Sequence, residues 1–114
     1  MKLIMKTATA AAVLTAFAAF VPLASADDGT TIEVSVQDHQ FKPAEVKAAA
    51  GTAIVFKVKN LSASPVEFES EALQVETVIK ANAEGLVKVK PQKPGRYVFF
   101  DDLHQETKGT LVVE

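Results

Sequence analysis

The sequence of 114 residues contains no cysteine, and its two methionines, Met1 and Met5, both lie at its start. The first absence excludes disulfides, thiolate metal ligands and thiol nucleophiles together. Basic residues are outnumbered, 12 Lys and Arg against 14 Asp and Glu. That balance argues against nucleic acid or an anionic membrane as partner, since both call for a basic patch. No glycine pattern of the nucleophile-elbow type surrounds Ser62, Ser64 or Ser70, so hydrolase chemistry has little support. Long apolar runs are scarce as well: after about Leu23 no stretch approaches the roughly 20 apolar residues of a spanning helix.

The single apolar run that does occur has the marks of a targeting segment. Lys2 and Lys6 precede an Ala/Leu/Val/Phe stretch that ends at Ala24-Ser25-Ala26, an A-x-A cleavage signal. This predicts a secretory signal peptide over residues 1–26, removed after Ala26. Residues 27–114 then form one small exported domain, most simply periplasmic and not inserted in the membrane after cleavage. Loss of Lys2, Lys6 and both methionines leaves that domain more acidic and free of sulfur.

From Ile32 the chain alternates apolar and polar residues, with Ile32, Val34 and Val36 on one side, the period of a half-buried strand. The segment Asp38 to Pro43 breaks the pattern, because Pro43 cannot donate to a ladder. A short strand around Glu45 to Lys47 leads to Gly51. Ile54, Phe56 and Val58 give the clearest strand, ending at Asn60. Leu61 to Pro65 is loop chemistry, and Val66 and Phe68 re-enter the sheet. Between Ser70 and Lys80 a strand and a helical turn both fit, and the stretch is taken as irregular leading into strand. Glu84-Gly85 reads as a turn before Val87 and Val89. Tyr97, Phe99 and Asp101 share one parity, and a last strand runs from about Lys108 to Val113. Seven or eight short strands separated by turn residues, with no repeat or linker, predict an all-β Greek-key β-sandwich.

The framework F-K-P (Phe41 to Pro43), Gly51, I-V-F-K-V-K-N (Ile54 to Asn60), P-V-E-F, P-G-R-Y-V-F-F-D-D-L-H and K-G-T-L-V-V resembles a cupredoxin over nearly the whole exported chain. In that pattern an aromatic strand ends in Cys and a His follows three positions later. Here His104 keeps the second position, but Asp101 stands at the first. Val66 occupies the place of the family's other His, and the Met position falls around Thr107. A standard type 1 copper centre needs the thiolate, so the resemblance implies a copper-protein frame without blue-copper chemistry. The combination D-H-Q-F-K-P, E-F-E-S and Y-V-F-F-D-D-L-H is similar to the sulfur-free cupredoxin-like proteins and domains associated with bacterial ferrous-iron permeases, including EfeO-type proteins.

On that template Asp101 faces the interior, where a carboxylate must be bound to metal, hydrogen-bonded or protonated. Capping a turn through loop amides is the alternative to ligation. His104 lies in the loop at the end of the sandwich. His39, the other histidine of the exported chain, sits two residues before F-K-P, at the metal-bearing end or on the plain surface. Glu67 follows the lost His position, although alternation points it away from Val66 and Phe68. Glu69, Glu71 and Asp102 read as a solvated acidic face able to attract cations or a basic partner.

If His104, Asp101, His39 and Glu67 converge, they form a mixed nitrogen and oxygen site for an iron or copper ion, of non-type-1 character. The expected function is metal binding in iron (with copper as the other candidate) uptake, handing the ion to an inner-membrane iron permease or its periplasmic components. A copper-dependent accessory ferroxidase or electron-transfer protein, with Phe100 beside the site, and a metal-free structural or interaction module are the alternatives.

Overall fold

Strict alternation puts one face of each strand against a partner sheet, and the chain follows it closely. The computed structural model describes residues 29–114, so the signal peptide expected over residues 1–26 lies outside the described residues. Among the described residues nine strands form: β1 (Thr30–Gln37), β2 (Gln40–Lys42), β3 (Glu45–Ala48), β4 (Ile54–Asn60), β5 (Val66–Ser70), β6 (Val75–Ile79), β7 (Glu84–Val89), β8 (Gly95–Asp101) and β9 (His104–Val113). One sheet has the order β2-β1-β4-β7 and the other β3-β9-β8-β5-β6. Neighbours are antiparallel except β1 with β4 and β3 with β9. The described residues contain no helix, and the expected β-sandwich is what forms.

Its strand count exceeds the expected seven or eight through β2. The segment before Pro43 reads as a break, yet β2 stops one residue short of the proline and pairs Phe41 with Val36 of β1. One turn also sits elsewhere than the sequence suggests. Chain reversal after β6 occurs at Ala81 and Asn82, where Asn82 adopts φ 55°, and Gly85 lies inside β7. A Cβ at Gly85 would come within 2.8 Å of Cγ1 of buried Ile79, so close packing rather than turning requires glycine there. β9 begins at His104, several residues earlier than expected. Before β6, residues Glu71 to Gln74 form a turn that ends with Gln74 at φ 57°.

The interior is organised by four phenylalanines. Phe41 of β2, Phe56 of β4, Phe68 of β5 and Phe99 of β8 are each 3 % exposed or less, with ring centroids 5.0 to 5.9 Å apart. Two of these rings come from each sheet, so the cluster ties the layers together. Each such pair contributes about 0.5–1.5 kcal/mol beyond the area it buries. Around it pack Val34, Val58, Ile54, Val87 and Leu111. The hairpins β1–β2 and β8–β9 leave this core at the same end, and that end carries both histidines.

Candidate metal centre

The turn between β1 and β2 consists of Asp38 and His39, at φ 53° and 57°. Two successive left-handed residues match the twist of a tight hairpin, and Asp and His accept this region more readily than most side chains. His39 is thereby set at an exposed tip. Its carbonyl accepts a hydrogen bond of 2.7 Å from Thr107 Oγ1, and Thr107 is itself buried. The hairpin tip is therefore tied to β9 of the opposite sheet.

At the end of β8 the register of the β8–β9 ladder jumps. Phe100 faces Lys108, but Asp101 faces His104, so Gln105, Glu106 and Thr107 are taken up in a bulge. Such irregularities re-aim side chains at a sheet rim. Asp101 is 2 % exposed and fully engaged. Its Oδ1 accepts from the backbone N–H groups of Glu67 at 3.0 Å and Leu103 at 3.1 Å, and its Oδ2 lies 3.1 Å from His104 Nδ1. A carboxylate can only accept, so His104 donates its Nδ1 proton to Asp101 and keeps Nε2 free for a ligand. This is the carboxylate–histidine arrangement that orients imidazoles in metal sites.

The rings of His104 and His39 meet at a centroid distance of 4.5 Å and an interplanar angle of 49°. The His104 side chain is 34 % exposed, and His39 is exposed. A cleft of about 360 Å3, lined by Gln37, Asp38, His39 and the loop Leu61 to Ser64, opens beside His39. Buried Asn60 fixes that loop. Its amide nitrogen donates to the carbonyls of Ser64, Ile79 and Lys80, and its oxygen accepts from Ser62.

Of the four residues the sequence nominates, three come together: His39 against His104, and Asp101 against His104. Glu67 does not join them. Its backbone N–H reaches Asp101, while its side chain lies on the outer face of β5 with Glu69 and Glu76, their carboxylate oxygens within 4.8 Å of one another. A hydrogen bond with Glu76, burial, and the charges of Glu76, Asp102 and Glu69 push Glu67 from 4.5 up to about 7. Burial and the charge of Asp102 raise Glu69 as well. Sequence reasoning gave no role to the Thr107 hydroxyl or to Asn60. Asn60 had a usable signal, because a polar residue shares inward parity with Ile54, Phe56 and Val58.

The fold and site thus define a sulfur-free β-sandwich with paired imidazoles at one rim, one of them oriented by a buried carboxylate. The cupredoxin-like domain family matches residues 8–113, and the chain belongs to that family. An uncharacterized protein of Rickettsia prowazekii (strain Madrid E) is 31 % identical over 88 residues, covering 76 % of this chain and 70 % of its own length. Among solved structures, the fold is similar to the metal binding domain of the Cu(I)-exporting P-type ATPase CopA of Streptococcus pneumoniae, determined with Cu(I), at TM-score 0.69 and 19 % identity, over 75 % of this chain and 86 % of that one. It is also similar to a reduced amicyanin variant at TM-score 0.60 and 20 % identity, over 80 % and 88 % of the respective chains. The family's type 1 copper does not fit this chain: it has no cysteine, and the carboxylate of Asp101 spends both oxygens on other partners. The nitrogen donors this rim offers are the imidazoles of His104 and His39, their ring centroids 4.5 Å apart.

Proposed function

We propose that this protein is an exported, periplasmic metal carrier that holds one transition-metal ion on the imidazoles of His39 and His104 and hands it to a membrane transport system. The observation that carries this reading is the ring contact of the two histidines, with His104 already held in the tautomer that presents Nε2. Asp101 accepts from the Nδ1–H of His104, the bulge of β9 sets the ring at the rim, and Thr107 anchors the His39 turn. When bound, the ion supplies Lewis acidity and a redox-active centre. Paired imidazoles favour Cu(II) among divalent first-row ions, and the Cu(I) bound by the CopA domain supports copper as the ion. Similarity of D-H-Q-F-K-P and Y-V-F-F-D-D-L-H to the proteins of ferrous-iron permeases supports a task in iron uptake, with the permease or its periplasmic components as recipient. Holding and passing on an ion suits a site without thiolate better than rapid electron exchange does.

One observation favours a second reading, a metal-free interaction module. Among the described residues no buried side-chain polar atom lacks a hydrogen-bond partner, so the network around Asp101 is complete without an ion. Titration with Cu(II), followed by calorimetry and electron paramagnetic resonance, separates the two. The expected result is one equivalent bound with a two-nitrogen signature that His39→Ala or His104→Ala abolishes, and a raised melting temperature, since an ion bound only by the native state stabilises it. Binding no tighter than about 1 mM for both Cu(II) and anaerobic Fe(II) would leave the module reading. Oxygen-dependent loss of Fe(II) that requires added copper would instead mark an accessory ferroxidase.

A further inference from the structure

Ion pairs occur on both sheets, including Arg96–Glu45 and Lys47–Glu114 at the β3 end of the five-stranded one, but the β5–β6 end of that sheet differs. On the four-stranded sheet, Lys57 pairs with both Glu33 and Glu84, at 3.8 and 3.4 Å. On the five-stranded sheet, Glu67 and Glu69 of β5, Glu76 of β6, and Glu71 and Asp102 of the adjoining turns form no ion pair among the described residues. Apolar side chains flank these carboxylates on both sides, Val98 and Phe100 on β8 and Val78 on β6. Val78 stands directly across from Glu67 and is 61 % exposed, Phe100 stands across from Glu69, and Val98 on the same side of β8 is 49 % exposed. A cleft of about 370 Å3 runs between the two groups, lined by Glu69, Glu71, Val98, Phe100, Asp102 and Lys108 among others.

We infer that this face is a docking surface for a basic segment of a partner protein, one in which Lys or Arg residues flank an aliphatic or aromatic side chain. The cleft and the exposed valines supply apolar contact, and the carboxylates supply complementary potential, which governs orientation and encounter rate more than final affinity. The carboxylate oxygens of Glu67, Glu69 and Glu76 lie within 4.8 Å of one another, so their like charges oppose one another in the free protein. A cationic partner relieves that repulsion. A second copy of this chain would add to it at the same face, which favours a basic partner over self-association. The surface is separate from the histidine pair, because Glu67 turns its side chain away from Asp101, and the inference stands whether or not those histidines bind metal.

A synthetic peptide of alternating lysine and valine, titrated into the protein and followed by backbone amide shifts, tests this. Shifts are expected on β5, β6, the end of β8 and Lys108. Affinity should fall about tenfold or more in the Glu69→Gln/Glu76→Gln double variant and at 0.5 M salt, where the screening length is only a few ångströms. It should fall several-fold in Val98→Ser and stay unchanged in Glu33→Gln on the other sheet. A glutamate–valine peptide should not bind the unaltered protein, which keeps the test decisive if the double variant fails to fold. Equal binding of a lysine–serine peptide would reduce the effect to bulk charge and overturn the proposal. So would shifts confined to another face, or Ca2+ bound stoichiometrically at Glu67, Glu69 and Glu76 to the exclusion of the peptide.

Discussion

Asp101 and His104 close the β8–β9 hairpin as directly opposed residues, with carboxylate Oδ2 and imidazole Nδ1 3.1 Å apart. At the strand end where a type 1 copper protein places its thiolate, this chain places a carboxylate that holds a histidine.

Two substitutions at this position should separate its structural and positioning roles. Asp101→Ala removes the acceptor for the Glu67 and Leu103 amides, and each amide left without a partner costs about 1–3 kcal/mol. The urea midpoint should fall clearly. Asp101→Asn keeps an oxygen for those amides but cannot accept from Nδ1 through its NH2 group. Stability should drop less, while metal affinity falls about 10–100-fold, the usual effect of losing an outer partner of a ligating histidine. Full affinity in the Asn variant would show that His104 needs no such partner.

Thr107→Val is nearly isosteric and deletes only the hydroxyl that donates to the His39 carbonyl. The expected loss of stability is about 1 kcal/mol. Because that bond ties the His39 turn to β9, the contact between the imidazoles should loosen, which would be read as ring-proton shifts of both histidines. Unchanged ring signals together with lowered stability would make the tie structural only.

Much of this was readable in the sequence wherever burial alone decides. The alternation in β1, β4 and β8 fixes which residues face inward, and the same parity correctly turns Asp101 in and Glu67 out. What parity cannot supply is closure between distant turns. His39 and His104 meet because Asp38 and His39 adopt left-handed conformations and because the β9 bulge moves His104 from a supposed loop onto the strand. Both depend on tertiary contacts, among them the Thr107 bond. Gly85 misleads for a similar reason: it is glycine because of the Ile79 side chain above it, while Asn82 makes the turn.

Gly109→Ala should be among the most damaging single changes in the domain. A Cβ at this position would overlap the Phe99 ring and stand 3.1 Å from the Ala44 carbonyl. Phe99 is fully buried in the phenylalanine cluster and cannot swing aside without disturbing Phe41, Phe56 and Phe68. Overpacking of this kind costs about 1–3 kcal/mol, and more where the backbone cannot yield. Thermal unfolding of the variant checks it, with Thr110→Ala on the neighbouring half-buried position as a mild comparison.

Glu67 makes the stability of the fold depend on pH in an unusual direction for a carboxylate. Hydrogen bonding with Glu76, partial burial and neighbouring negative charges raise it from 4.5 to about 7 in the folded chain. The folded protein therefore holds this proton more tightly than the unfolded chain does. Stability linked to Glu67 is fully present below pH 4.5 and is lost as pH rises through about 7. In Glu67→Gln this contribution disappears, so the difference in melting temperature between the two proteins should shift against the unsubstituted chain across that window and level off above it. Glu76→Gln, which removes the largest cause, should flatten the dependence in the same way. A difference that stays constant from pH 4 to 8 would mean that Glu67 ionises as it does in the unfolded chain.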